Sequence, residues 1–171
     1  MGRAGVAVLV RKEIAPLMGA DTRRTVAQRL RVALRALDRA GASASVLLTD
    51  DEEIRRLNRA FRKLDRATDV LSFPMQGLAG EADPAGAAVF LGDIAISVQT
   101  ARRRAGPARL PKELERLAVH GLCHLFGHDH HRPGPARRMR ALERRLLRTD
   151  GRYLPAVPRR RSSTLAGRLP K

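Results

Sequence analysis

A single α+β domain is what this sequence predicts: about four strands in a mixed sheet, surrounding helices, and a metal site at the end of a central helix. Three observations predict it. Short aliphatic runs alternate with longer stretches of helical periodicity. The 171 residues are enough for one hydrophobic core and too few to expect two. No internal repeat breaks the alternation, and strands mixed with helices in this way place the helices against a small sheet.

The elements follow in order. Gly5 to Val10 ("GVAVLV") reads as a short buried strand. Asp21 and Thr22 offer a cap for a helix that runs to about Ala40, where Gly41 ends it. "ASVLLTD" (44–50) is a second strand. Asp50, with Glu53 three residues later, approaches a capping box for an amphipathic helix over 51–62 whose apolar positions are Ile54, Leu57 and Phe61. "TDVLSFP" (68–74) is a third strand, closed by Pro74, which has no N–H for a ladder. The Gly-, Pro- and Ala-rich stretch from Met75 to Ala88 reads as a loop. "VFLGDIAIS" (89–97) is a fourth strand, followed directly by a short helix. Pro111 opens a helix to Phe126 with Gly127 as its stop, and a basic helix spans Pro135 to Leu147. Residues 1–150 are thus expected to form the domain. Residues 151–171, with six basic side chains, no acidic one and three prolines, read as a disordered basic tail.

Composition narrows the partners. A net charge of +17 on so short a chain favours a polyanion, nucleic acid being the usual one, although abundant Arg, Ala, Gly and Pro also reflect a GC-rich coding bias. With no Trp, one Tyr and four Phe, the sequence argues against a base-stacking platform, so contacts to RNA are expected mainly at phosphates. The apolar run at 5–10 is far below the ~20 residues of a membrane span, and no cleavage site follows it. Cys123 is the only cysteine, which excludes an intrachain disulfide and suits a cytoplasmic protein.

The chemistry-bearing stretch is "HGLCHLFGHDH" (120–130). Its histidines and glycine match the spacing of the zinc signature H-E-x-x-H-x-x-G-x-x-H. On the helix, His120 and His124 lie one turn apart and away from the stripe of Leu114, Leu117, Ala118, Leu122 and Leu125, sharing a face with Glu113 and Arg116. Gly127 permits the chain to turn, so that His130 can return toward the same point. One zinc ion per chain on His120, His124 and His130 is the expectation, with an open fourth position suited to hydrolysis or phosphoryl chemistry. Gly121 stands where a metalloprotease keeps its glutamate base, which argues against peptide cleavage. Cys123 reads as packing, and His128 and His131 as neighbours of the site.

Three blocks, "LNRAFRKLDRATDVLSFP" (57–74), "LGDIAIS" (91–97) and "HGLCHLFGHDH" (120–130), together resemble the YbeY family of bacterial zinc-dependent endoribonucleases of rRNA maturation and ribosome quality control. The resemblance covers roughly residues 45 to 131. It implies that His120, His124 and His130 are metal ligands, that Arg62 serves RNA cleavage, and that single-stranded rRNA and ribosomal particles are the partners. The family usually has Leu where Cys123 stands and Tyr where His128 stands. Asp69 and Asp93 read as turn or strand-end hydrogen bonders, so no general base is assigned; a zinc-bound hydroxide and the substrate's own 2′-hydroxyl both remain open as attacking group. The rival readings are a non-catalytic ribosome-assembly factor with a structural zinc and a hydrolase of another substrate. A fourth protein ligand such as His128 or Asp129 would mark the structural role.

Overall fold

A computed structural model of the chain describes residues 5–75, 89–128 and 133–150. The strands are β1 (Val6–Val10), β2 (Ser43–Thr49), β3 (Val70–Pro74) and β4 (Phe90–Ser97). The helices are α1 (Thr22–Ala36), α2 (Asp51–Arg62), α3 (Val98–Ala105), α4 (Leu110–Leu125) and α5 (Pro133–Arg148). The sheet has the order β1-β2-β4-β3; β1, β2 and β4 run parallel and β3 runs antiparallel to β4. The predicted class therefore holds: one α+β domain on a four-stranded mixed sheet.

Register explains which side chains meet the helices. Val8 pairs with Val46, Val46 with Ile94, and Ile94 with Ser72, so these four form one row on one face. Helices α1 and α4 cover that face side by side, α1 over β1 and α4 over β3 and β4. Burying Val26, Leu30 and Ala33 of α1 and Leu114, Leu117 and Leu122 of α4 against the row makes the core, because an apolar helix stripe and an apolar sheet face each need the other to leave water. α5 lies outside α4 and inserts Met139 and Leu146, 1% and 0% exposed, into the same core. Phe73 belongs to the alternate row with Asp93, and α2 meets the sheet there.

Several boundaries differ from expectation, each for a local reason. β1 is an edge strand buried on one face only, with Leu9 61% exposed, so it is half-buried instead of buried. α1 ends at Ala36, four residues early: Asp38 takes the left-handed conformation (φ 57°), its N–H bonds the Arg35 carbonyl, and the Arg39 N–H bonds that of Leu34. Asp tolerates this geometry, so the helix stops before Gly41 is reached. Asp21 does not cap α1 through its side chain; it pairs with Arg24 at 2.9 Å. Asp50 does cap α2, its carboxylate accepting the Glu53 N–H at 2.7 Å, but Glu53 turns to Arg11 and Arg56 instead of closing the box. Two 3-10 turns, Lys12–Leu17 and Pro107–Arg109, had no periodic signature. α5 starts at Pro133, two residues early, since prolines fit a first turn that needs no N–H partner. Of the expected loop from Met75 to Ala88, Met75 still bonds the sheet through its N–H to the Leu91 carbonyl, and 76–88 lie outside the described residues, as does the tail 151–171.

Candidate functional site

A polar network sets where α2 and α3 start. Ser97, fully buried at the end of β4, caps α3 by accepting the Thr100 N–H at 3.0 Å and donates its own hydroxyl to Asp51, the first residue of α2. Thr100 donates to the same carboxylate at 2.6 Å and Arg103 at 2.6 Å, while Gln99 accepts the Asp51 N–H at 2.9 Å. Burial raises the Asp51 carboxyl, but the hydrogen bonds from Arg103, Ser97 and Thr100 and the Arg103 charge outweigh it and hold it below the ordinary value. At its other end α2 is closed by Lys63 in the left-handed conformation, its N–H on the Asn58 carbonyl, while the buried Asn58 amide donates to the Arg66 carbonyl at 2.7 Å. Arg62, the last residue of α2, is thereby carried to an exposed position at a fixed end of the helix.

Helix α4 supplies the histidines. His120 and His124 lie one turn apart, with ring centroids 4.8 Å apart and their Nε2 atoms 3.1 Å apart. On the far side of the first ring, Nδ1 of His120 lies 2.7 Å from a carboxylate oxygen of Glu143 on α5. The carboxylate accepts the Nδ1 proton, and this leaves the Nε2 lone pair directed at the space shared with His124. Burial raises the Glu143 carboxyl, and the hydrogen bond with His120, aided by the Arg116 charge, more than reverses this, so it stays below its usual range. Gly127 then ends the helix at φ 76°: its N–H bonds the His124 carbonyl and the His128 N–H bonds that of Cys123, a complete Schellman turn.

Gly121 occupies the position of the missing glutamate for a steric reason. Its backbone rests on the sheet, where an added Cβ would sit 2.7 Å from Ile94 Cγ2 and 3.1 Å from Ser72 Oγ. The Ser72 hydroxyl donates to the Gly121 carbonyl at 3.2 Å. No side chain fits, so a protease-type base at this position is excluded by packing and not merely by its absence from the sequence.

A groove of about 1050 Å³ runs over the β3 edge between the ends of α2, α4 and α5. It brings together Arg62, His120 and His124, with Asp69, Arg116 and Glu143 also in its wall. His130 lies outside the described residues, as do Asp129 and His131, and among the described residues no three His, Cys, Asp or Glu side chains assemble as a metal site. His128 lines the groove, and burial, aided by the Arg138 charge, lowers its proton affinity. Cys123 is fully buried, and burial, with the Glu143 charge, pushes its thiol up to about 12, in keeping with a packing role. Asp69 accepts from the Val70 N–H and Thr68 at the start of β3 and pairs with Arg104, as a strand-end hydrogen bonder does, whereas Asp93 lies in the middle of β4 and accepts across the sheet from Ser45. Glu143 is the site residue that sequence reasoning missed. A signal existed: Ala136, Met139, Glu143 and Leu146 share the inner stripe of α5, and a carboxylate within an apolar stripe demands a partner.

Fold and groove define a single-domain α+β protein with a carboxylate-anchored histidine pair beside an arginine-lined cleft. The chain belongs to the YbeY family of endoribonucleases: the family model described as Endoribonuclease YbeY matches residues 11–151. Among relatives named Endoribonuclease YbeY, that of Anaeromyxobacter sp. (strain Fw109-5) is 48% identical over 134 residues, covering 75% of this chain and 67% of its own length. That of Anaeromyxobacter dehalogenans (strain 2CP-C) is 43% identical over 151 residues, covering 87% of this chain and 75% of its own. The solution structure of TM1509 from Thermotoga maritima shares the fold with a TM-score of 0.55 at 23% identity, over 83% of this chain and 86% of that one. No described helix is long and apolar enough to cross a membrane.

Proposed function

We propose that this endoribonuclease is zinc-dependent, cuts single-stranded RNA, and serves rRNA maturation and ribosome quality control on ribosomal particles in the cytoplasm. The observation that carries the reading is the convergence of two imidazole nitrogens, 3.1 Å apart, in the same groove as Arg62. Zinc–imidazole bonds of about 2.0–2.1 Å at tetrahedral angles separate two nitrogens by roughly 3.3 Å, so the pair fits the ion, and His130 is the third ligand that spacing assigns. When bound, zinc supplies Lewis acidity toward oxygen. The chain's own groups do the rest. Glu143 fixes the ring of His120 through Nδ1, and Gly121 lets α4 rest closely on β3 and β4, which sets the position of the two histidines over the groove. Arg62 holds a phosphodiester through its planar pair of donors as negative charge grows on the phosphoryl oxygens. The net charge of +17 and the cationic groove support a polyanionic substrate.

The test is cleavage of a single-stranded RNA by the purified protein, with a chelator and with zinc restored. Cleavage abolished by the chelator and recovered with zinc is expected, along with about one zinc per chain that is lost in His124→Ala. Undiminished zinc in both His120→Ala and His124→Ala would remove the metal site, and bound zinc with no cleavage would favour a structural zinc in an assembly factor. Arg62→Ala should retain zinc and fold while losing most of the cleavage, on the order of 100-fold or more. Arg62→Lys should be impaired as well, because an ammonium cannot make the planar two-donor contact. Wild-type rates in Arg62→Ala would withdraw the role of Arg62.

A further inference from the structure

Phe61 immediately precedes Arg62 on the last turn of α2 and is 66% exposed. An exposed apolar side chain is ordinary on a protein surface. Phe61, however, lines the groove of the histidine pair and is held there against a second ring, Phe73 of β3, with centroids 4.9 Å apart and planes 65° apart. An edge contact of this kind fixes the orientation of a ring while covering little of it. The result is a positioned, uncovered π surface beside a guanidinium in a cationic cleft. Chance packing does not call for that combination. A single-stranded nucleic acid does, because it carries a phosphate and an unpaired base on each nucleotide.

We propose that the Phe61–Phe73 pair forms a nucleobase subsite: one unpaired base of the RNA stacks on Phe61 while the neighbouring phosphate engages Arg62. The inference rests on the endoribonuclease reading and deepens it. It runs against the compositional expectation that so few aromatics provide no base-stacking platform and leave RNA contacts mainly to phosphates. Scarcity counts rings, whereas the subsite depends on where two of them sit. It also supplies a physical origin for single-strand preference, since a base within a duplex is stacked on both faces and cannot reach the ring without being unpaired. Stacking on an aromatic platform tolerates any base, so the subsite contributes affinity and strandedness and not sequence readout.

The experiment measures equilibrium binding of a short single-stranded RNA under chelating conditions, and its cleavage with zinc, for the wild type, Phe61→Leu and Phe61→Tyr. The RNA is scanned with one abasic nucleotide at each position. Phe61→Leu should weaken binding and raise KM by about 5- to 150-fold, the range for removal of one stacked base, with kcat at saturating RNA changed far less. Phe61→Tyr should keep near-wild-type affinity. One abasic position should weaken binding to the wild type and to Phe61→Tyr but leave Phe61→Leu unaffected, because base and ring are two halves of one contact. Thermal unfolding of each variant reports whether the fold is kept. An unaltered affinity in Phe61→Leu, a weakening that Tyr does not restore, or abasic effects equal in wild type and Phe61→Leu would each overturn the subsite while leaving the endonuclease reading standing. Wild-type protein that neither binds nor cuts single-stranded RNA would overturn both.

Discussion

At the residue scale, Gly121 separates what spacing can show from what packing decides. The histidine spacing of 120–130 identified a metal pattern, and the glycine within it argued against peptide cleavage. That the glycine is there because Ile94 and Ser72 leave no room for a Cβ belonged to the tertiary structure alone. Glycine inside a helix is normally worse than alanine by up to about 1 kcal/mol, so Gly121→Ala would stabilise an open helix face. Here the sign reverses. Ile94 is 1% exposed and cannot move aside freely, so Gly121→Ala should destabilise the fold by about 1–3 kcal/mol, measured by denaturant unfolding. A variant as stable as the wild type or more so would show that α4 does not rest on β4 as described. Glu143 illustrates the opposite difficulty. Its place on the α5 stripe was visible in the sequence, but only the approach of α5 to α4 shows that the half-buried carboxylate meets His120.

At the element scale, the alternation of strands and helices was legible because period two and period 3.6 are written directly in the positions of Val, Ile and Leu. The 3-10 turn at Lys12–Leu17 was not, because so short an element carries no period, and the antiparallel sense of β3 was not, because strand direction depends on which edge the chain reaches. The joint between α2 and α3 makes a measurable claim. Asp51 is held below its ordinary carboxyl value, so its network contributes stability in full above about pH 3.9, the unfolded value, and loses it as pH falls through the lowered folded value. Asp51→Asn should therefore be less stable than the wild type at neutral pH, and the gap between them should close under acid. Unfolding midpoints taken from pH 7 down to pH 2 test this. A gap independent of pH would mean that the Asp51 charge is immaterial to the joint.

At the scale of the whole molecule, charge is the feature most plainly written in the sequence, and six basic residues fall after Asp150. A segment with that charge, no acidic residue and several prolines suits binding along a phosphate backbone. Deleting residues 151–171 should weaken RNA binding and flatten the plot of log affinity against log salt by about 0.7 for each phosphate that the shortened chain no longer neutralises, while cleavage at saturating RNA survives. An unchanged salt slope would assign binding to the domain alone. Helix α4 has a consequence of another kind. Within single turns it alternates residues sunk in the core, Leu117 and Leu122, with residues facing the groove, Arg116, His120 and His124. Substitutions on this helix are therefore pleiotropic, since a change that repacks the interior also shifts the imidazoles, and the two cannot be selected apart. The end of α2 is built differently, with Phe61 and Arg62 both exposed and Ile54 of the same helix fully buried about two turns away. Adaptation to new RNA targets thus has an unencumbered route at the end of α2, while drift along α4 is held in check by the interior of the molecule.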